Sequence, residues 1–260
     1  MSKKSRSWPG LKLGKRPARK NAIKLKFSAL ADAAVLPKPP LHFGHEKLLG
    51  EDWGVLGNDR FGNCVLAGAA HETMLWTRIG DAPDCLFTED GVLADYSAIT
   101  GFDPLKPDTD QGTDMQEAAS YRRKIGVVDV LGNRHKVAAY LEIDPGDLKA
   151  HYQALWLFGA VGIGFEFPTS AWEQFDASKP WKVVKGSRVD GGHYVPLVSK
   201  RRTLECITWG RSQGMTVDFF HHYNDESVVY VSEDSLIERK SPEGFDYDTL
   251  VKFLNGLPPA

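Results

Sequence analysis

The feature that most constrains this chain is a change of texture at Gly159. Before it, apolar residues recur at helical spacing. Val65, Leu66, Ala69, Ala70, Met74 and Leu75 follow Cys64. Ala118 and Ala119 follow the capping-box pattern Thr113-x-x-Gln116 in a helix that should stop at Gly126, and a third stretch runs from Asp147 to Phe158. After Gly159 come short β-type runs, at 160–167, 193–199, 204–209 and 228–231, closed by a helical pattern over 247–254. Helices first and strands afterwards predict an α+β fold. A helical lobe of about 53–158 faces an antiparallel β-sheet lobe of about 159–260, with a cleft between them.

A chain of 260 residues is long enough for two modest cores. Its formal charge of −2 hides an asymmetry: residues 1–26 hold ten Lys or Arg and no acid, leaving 22 basic against 34 acidic side chains, or −12, for the remainder. Pro9, Pro17, Pro37, Pro39 and Pro40 interrupt any periodicity, so residues 1–41 read as an extended basic arm and residues 42–260 as the folded domain, its body starting near Trp53. Through residues 1–26 such an arm is expected to meet nucleic acid, an acidic protein or an assembly surface. A solvated terminus has the same composition. The contrary arrangement is an autoinhibitory strap packed on its own body through Trp8, Leu11 and Leu13.

Several function classes lose support at this level. Cys64, Cys85 and Cys206 form neither a CxxC pair nor an even set, which argues against a disulfide framework and a zinc site. A reducing compartment, cytoplasm or assembled particle, is expected rather than secretion: Asp32 interrupts the apolar stretch Phe27 to Leu36, and Lys24 and Lys26 crowd its start. No apolar run reaches the roughly 18 residues of a membrane span. Gly162-Ile163-Gly164 lacks the third glycine of a dinucleotide loop, and the register of Asp108 to Asp114 is wrong for an EF-hand, so no cofactor or metal is expected. Nothing interleaves aromatic and basic residues into a stacking surface for nucleic acid.

The chemistry concentrates on two residues. Cys64 follows Gly62-Asn63 and opens a helix, so the positive end of the helix dipole should favour its thiolate; Asn63 is the N-cap candidate. His193, 129 residues later, follows Gly191-Gly192 at a strand start and can reach across a cleft as a general base. His71 lies seven residues along the same helix, about 10 Å away at 1.5 Å per residue, too far to be that base. His221 and His222 lack a spaced metal-binding partner and read as surface or interlobe residues.

Asn58-x-x-x-x-Asn63-Cys64, Gly192-His193-Tyr194-Val195 and Trp209-Gly210, in this order, resemble the papain superfamily of cysteine peptidases, over about Trp53 to Val231. The Gly-Asn-Asp, Gly-Gly-His and Thr-Trp-Gly pattern resembles more closely an uncharacterised group of papain-like proteins of bacteria and phages. The resemblance implies Cys64 as nucleophile, His193 as base and acid, and Asn58, in place of a glutamine, as oxyanion donor. It also implies an asparagine two residues before the Trp-Gly, where this chain has Ile207. Thr208 and Asp190 are the alternative orienting residues, although Thr208 faces His193 only if a bulge re-aims its strand. Two functions follow: a peptidase or amidase forming an acyl-enzyme on Cys64, or a weakly active or inactive papain-fold binding protein, such as a phage or particle component anchored by its arm.

Overall fold

The computed structural model describes residues 11–20, 22–33, 36–241 and 243–255. Helix α1 (Phe27–Ala33) and the short strand β1 (Phe43–Gly44) precede α2 (Cys64–Ile79), α3 (Glu89–Thr100) and α4 (Met115–Lys124). A small hairpin, β2 (Val127–Val128) and β3 (Arg134–His135), leads to β4 (Ala139–Ile143) and α5 (Leu148–Phe158). Then come β5 (Val161–Pro168), α6 (Thr169–Asp176), β6 (Val189–Lys200), β7 (Leu204–Thr208), β8 (Arg211–Met215), α7 (Val217–Tyr223), β9 (Asn224–Val231) and α8 (Tyr247–Asn255). The large sheet is antiparallel in the order β4-β9-β5-β6-β7-β8, with β1 added to β6. This is the expected α+β arrangement, a helical lobe carrying Cys64 followed by an antiparallel sheet lobe.

There are two cores, and β6 is the wall between them. Because successive side chains on a strand point to opposite faces, Tyr194 and Val198 enter the core formed by α2, α3 and α4, while Val195 and Leu197 enter the core of the sheet with α1 and α5 to α7. A buried ionic staple joins this wall to the helical lobe. Glu72 of α2 accepts from Arg122 of α4 at 2.6 Å and from the Tyr194 hydroxyl at 2.9 Å, and the guanidinium lies 3.8 Å from the Tyr230 ring centroid. Helix α2 is thereby fastened to the strand that carries His193.

The basic segment is less of an arm than its composition predicts. Phe27 and Leu30 are fully buried and Leu36 and Phe43 nearly so, inside the sheet-lobe core. Two such side chains contribute roughly 3–6 kcal/mol of burial, so the packed body begins well before residue 42. Of its ten cationic side chains, three among the described residues meet the acidic body: Arg19 pairs with Asp114, Lys26 with Glu142, and Lys15 with Asp225 and Glu226. Trp8 lies outside the described residues. Two local expectations also change. The cap of α4 is Asp114, which accepts from the N–H groups of Gln116 and Glu117, and not Thr113. Asn63 does not cap α2 with its side chain, which donates to the carbonyl of Leu56.

Candidate active site

Cys64 is the first residue of α2, and the backbone N–H groups of Tyr194, Gly14 and Val65 lie near enough to its sulfur to favour the thiolate. The donor from Val65 belongs to the helix start. The donor from Tyr194 puts the thiol beside the residue that follows His193 on β6. Sequence reasoning expected a thiolate here, and the structure gives the reverse: burial pushes the thiol up to about 11, more than the three N–H groups and nearby Lys15 pull it down. His193 is also completely buried, and desolvation holds its ring down to about 3. At neutral pH the resting groups are an uncharged thiol and an uncharged imidazole.

The His193 ring is held at one nitrogen and on one face. Its Nε2 meets Thr208 Oγ1 at 2.7 Å, while its Nδ1 has no hydrogen-bond partner. The indole of Trp209 stacks on it with centroids 4.4 Å apart and planes 14° apart, and Trp172 stacks in turn on Trp209. Trp209 and Gly210 are the two-residue turn between β7 and β8, with φ of +46° and +81°. Positive φ at both positions is what a type I′ hairpin requires, and it is the turn that lays the indole over the imidazole.

Thr208 reaches His193 because of a bulge. In the outer part of the β6–β7 ladder Ser199 opposes Glu205, and further in Leu197 opposes Cys206, so Val198 is an additional residue on β6. Continuing the inner register sets Thr208 opposite Val195, which shares a face with His193, whereas the outer register would have turned Thr208 to the other face. Ile207, in the slot where the resemblance implies asparagine, packs into the helical-lobe core. Asp190 does not orient the imidazole; its carboxylate accepts from the Trp172 indole at 2.8 Å.

A segment of this same chain runs over the thiol. The N–H groups of Gly14 and Lys15 both donate to Gly192 O, at 3.1 and 3.0 Å, on the His193 side. On the Cys64 side Thr113 N–H donates to Gly14 O at 2.7 Å and Arg16 N–H to Thr113 O at 3.0 Å. The strap passes so close that a Cβ on Gly14 would fall 1.9 Å from the Gly62 carbonyl oxygen, so only glycine fits. Asn58, nearly fully buried, donates its amide to Lys12 O at 3.2 Å and to Phe61 O at 3.0 Å, and the Trp209 indole donates to the same Lys12 carbonyl. Leu11 and Leu13 lie against the sheet-lobe core.

The remaining histidines stand apart. His71 is buried against the carbonyl of Gly54 and lowered to about 4 by desolvation. His221 and His222 are exposed at the end of α7. One thiol–imidazole contact was not foreseen: Cys85 Sγ lies 3.3 Å from His135 Nε2, which is 3.2 Å from Asp129 Oδ2. These three donors lie within 4.8 Å of one another, and they are the group of residues able to hold a metal among the described residues. Asp108 to Asp114 forms no such group: Asp114 caps α4, and Asp110 accepts from Gly62 N–H and the Tyr96 hydroxyl. Among the described residues no helix is long and apolar enough to cross a membrane.

No family model matches the sequence, and no curated protein does. Solved structures do match. Xylellain, a cysteine protease from Xylella fastidiosa, is 15% identical with a TM-score of 0.63, over 89% of this chain and 99% of that one. Procathepsin B S9 from Trypanosoma congolense is 10% identical with a TM-score of 0.54, over 86% of each chain. Digestive procathepsin L 3 of Tenebrio molitor is 10% identical with a TM-score of 0.54, over 83% and 76%. The chain therefore has the two-lobed fold of the papain-like cysteine proteases.

Proposed function

We propose that this chain is a papain-like thiol hydrolase acting on polypeptides, held latent by its own residues 11–16. The observation that carries the reading is the strap itself. A polypeptide backbone lies over the Cys64 thiol, hydrogen-bonded to Gly192 on one wall and Thr113 on the other. A cleft that binds main chain on both sides of a nucleophile is suited to a peptide substrate.

With the strap displaced, the Nε2–H tautomer of His193 donates to Thr208 and leaves the Nδ1 lone pair to take the thiol proton. The Cys64 sulfur attacks the scissile carbonyl carbon, and the oxyanion is met by the Asn58 amide and the Cys64 N–H. The imidazolium returns its proton to the leaving amine as the C–N bond breaks. Water, deprotonated by the same ring, then cleaves the thioester and releases the acid and the thiol. Thr208 can also donate its hydroxyl to Nε2, so it controls the tautomer less strictly than an amide carbonyl would.

The test uses the full chain carrying Gly14→Ala, whose added methyl cannot coexist with Gly62. It should hydrolyse an unfolded protein substrate, the parent chain should be far slower, and Cys64→Ala in the same background should abolish the activity. A folded Gly14→Ala protein that neither hydrolyses peptides nor is captured at Cys64 by a peptidyl electrophile would leave the binding-module reading in its place.

A further inference from the structure

We propose, resting on the reading of the cleft as peptide-binding, that the recess filled by Lys15 is the specificity pocket and selects a lysine or arginine side chain of the substrate. Lys15 has no exposed side-chain surface, and its Nζ is 2.9 Å from Asp225 Oδ2, 3.0 Å from Glu226 Oε1 and 3.0 Å from Arg16 O. Burial alone would lower its pKa, but Glu226 and Asp225 more than offset that and the net shift is upward. Gly164 makes the room, since a Cβ there would lie 2.4 Å from Lys15 Cε and 3.0 Å from Met115 Sδ.

Two consecutive acids on a regular strand would point to opposite faces. Here Gly164 opposes Glu226 and Phe165 opposes Asn224, so Asp225 is the additional residue of a bulge and both carboxylates reach one ammonium. When the strap leaves, these two carboxylates remain together at the end of the recess. An apolar side chain in their place would leave them desolvated and unpaired. Asp225 Oδ1 is buried with no partner, a spare acceptor suited to the fork of an arginine.

The experiment has two arms on full-length Gly14→Ala protein. In the first, peptide substrates carrying Lys, Arg, norleucine or citrulline at successive positions should show at least a 100-fold preference in kcat/KM for the basic side chain at one position. Asp225→Asn with Glu226→Gln should reduce that preference below tenfold. Turnover with equal rates for Lys and norleucine at every position overturns the pocket and leaves the hydrolase reading standing. In the second arm, a free peptide of residues 11–20 and its Lys15→norleucine analogue compete for the cleft of a Cys64→Ala version. A 100-fold weaker analogue supports the pocket even without turnover, and equal affinities sink it.

A different observation carries a second site. We infer that Cys85, Asp129 and His135 bind a divalent ion of the zinc class, between the loop after α2 and the β2–β3 hairpin. Thiolate, imidazole and carboxylate form a donor set that suits zinc, with a fourth position for water. The remaining His135 nitrogen, Nδ1, faces Asp234 Oδ2 at 3.1 Å, the outer carboxylate that typically fixes a metal-bound histidine. Full-length protein should retain about one equivalent of zinc, lost in Cys85→Ser and in His135→Ala, and Asp234→Asn should weaken retention roughly 10- to 100-fold. Cobalt should give a thiolate charge-transfer band that Cys85→Ser removes and Cys64→Ser does not. Substoichiometric metal, or a band indifferent to Cys85→Ser, overturns the site.

Discussion

Cys64 lies beside Tyr194, the residue after His193 on β6, whereas Cys85 touches His135 directly, and the surroundings of the two cysteines make opposite things of them. At Cys64 and His193 no carboxylate touches the ring, both groups are buried, and each is driven toward its uncharged form, the thiol up to about 11 and the imidazole down to about 3. At Cys85 and His135 the ring stands between Asp234 and Asp129, and its hydrogen bonds to Asp234 and then to Cys85 raise it to about 10. Proximity of sulfur and nitrogen alone therefore does not mark a nucleophile. What separates the two is the rest of the site: a helix start, a free Nδ1 and a main-chain cleft at the first, a convergence of ligand atoms at the second.

The contrast can be broken most directly by removing each sulfur in the Gly14→Ala background. Cys64→Ala should reduce hydrolysis by at least about 10³-fold, while Cys85→Ala should leave kcat within about twofold. Comparable losses would mean that the two pairs are not functionally distinct.

Next in size is the staple that fastens α2 to β6. Glu72→Ala strands Arg122 in the interior and should cost about 3–5 kcal/mol in denaturant unfolding, because a buried charge is left uncompensated. Cys85→Ala lacks that penalty. A loss below about 1 kcal/mol would show that β6 and α2 are aligned by packing alone.

Acid offers a third comparison. His193 has a folded pKa depressed from 6.5 to about 3, so the unfolded chain binds the extra proton and stability falls as pH drops from about 6.5 toward 3. By pH 4 the deficit from this ring is about 3 kcal/mol. His193→Gln should therefore flatten the acid limb of a melting-temperature profile between pH 6.5 and 4. An unchanged limb would refute the buried neutral imidazole.

The smallest expected effect concerns orientation. Thr208→Val should lower kcat of the Gly14→Ala protein about 10- to 100-fold with KM nearly unchanged. Thr208→Asn should recover activity, and Asp190→Asn should lie near the parent. A larger loss at Asp190 than at Thr208 would reverse the assignment made from the 2.7 Å contact.

Much of this fold was legible because its signals are local. Apolar spacing after Cys64 marks α2, and β-type runs mark β5 and β7 close to their observed bounds, while β6 and β9 each begin four residues before the run that marked them. The strap was foreseen only as the contrary arrangement, through Trp8, Leu11 and Leu13, and for a physical reason. Its basic composition reads as solvated chain, whereas it is held by backbone hydrogen bonds, one glycine and a lysine whose acidic partners lie 210 residues away. Thr208 depended on a bulge at Val198, for which Pro196, two residues earlier in a central strand, is the one local signal. The Cys85 cluster was missed because its ligands are scattered over 50 residues and match no spacing rule.

On the proposed reading, residues 11–16 close a site whose nucleophile is Cys64. Mass-resolved alkylation by iodoacetamide at pH 7, comparing the full-length protein with its Gly14→Ala variant, tests it most directly. A thiol at about 11 is ionised to only about 10⁻⁴ at that pH, whereas an ordinary exposed cysteine reaches a few per cent. Gly14→Ala should thus accelerate labelling of Cys64 by about two orders of magnitude or more, with Cys85 and Cys206 unchanged. Equal Cys64 rates in the two proteins, or acceleration at all three cysteines together, would contradict the claim.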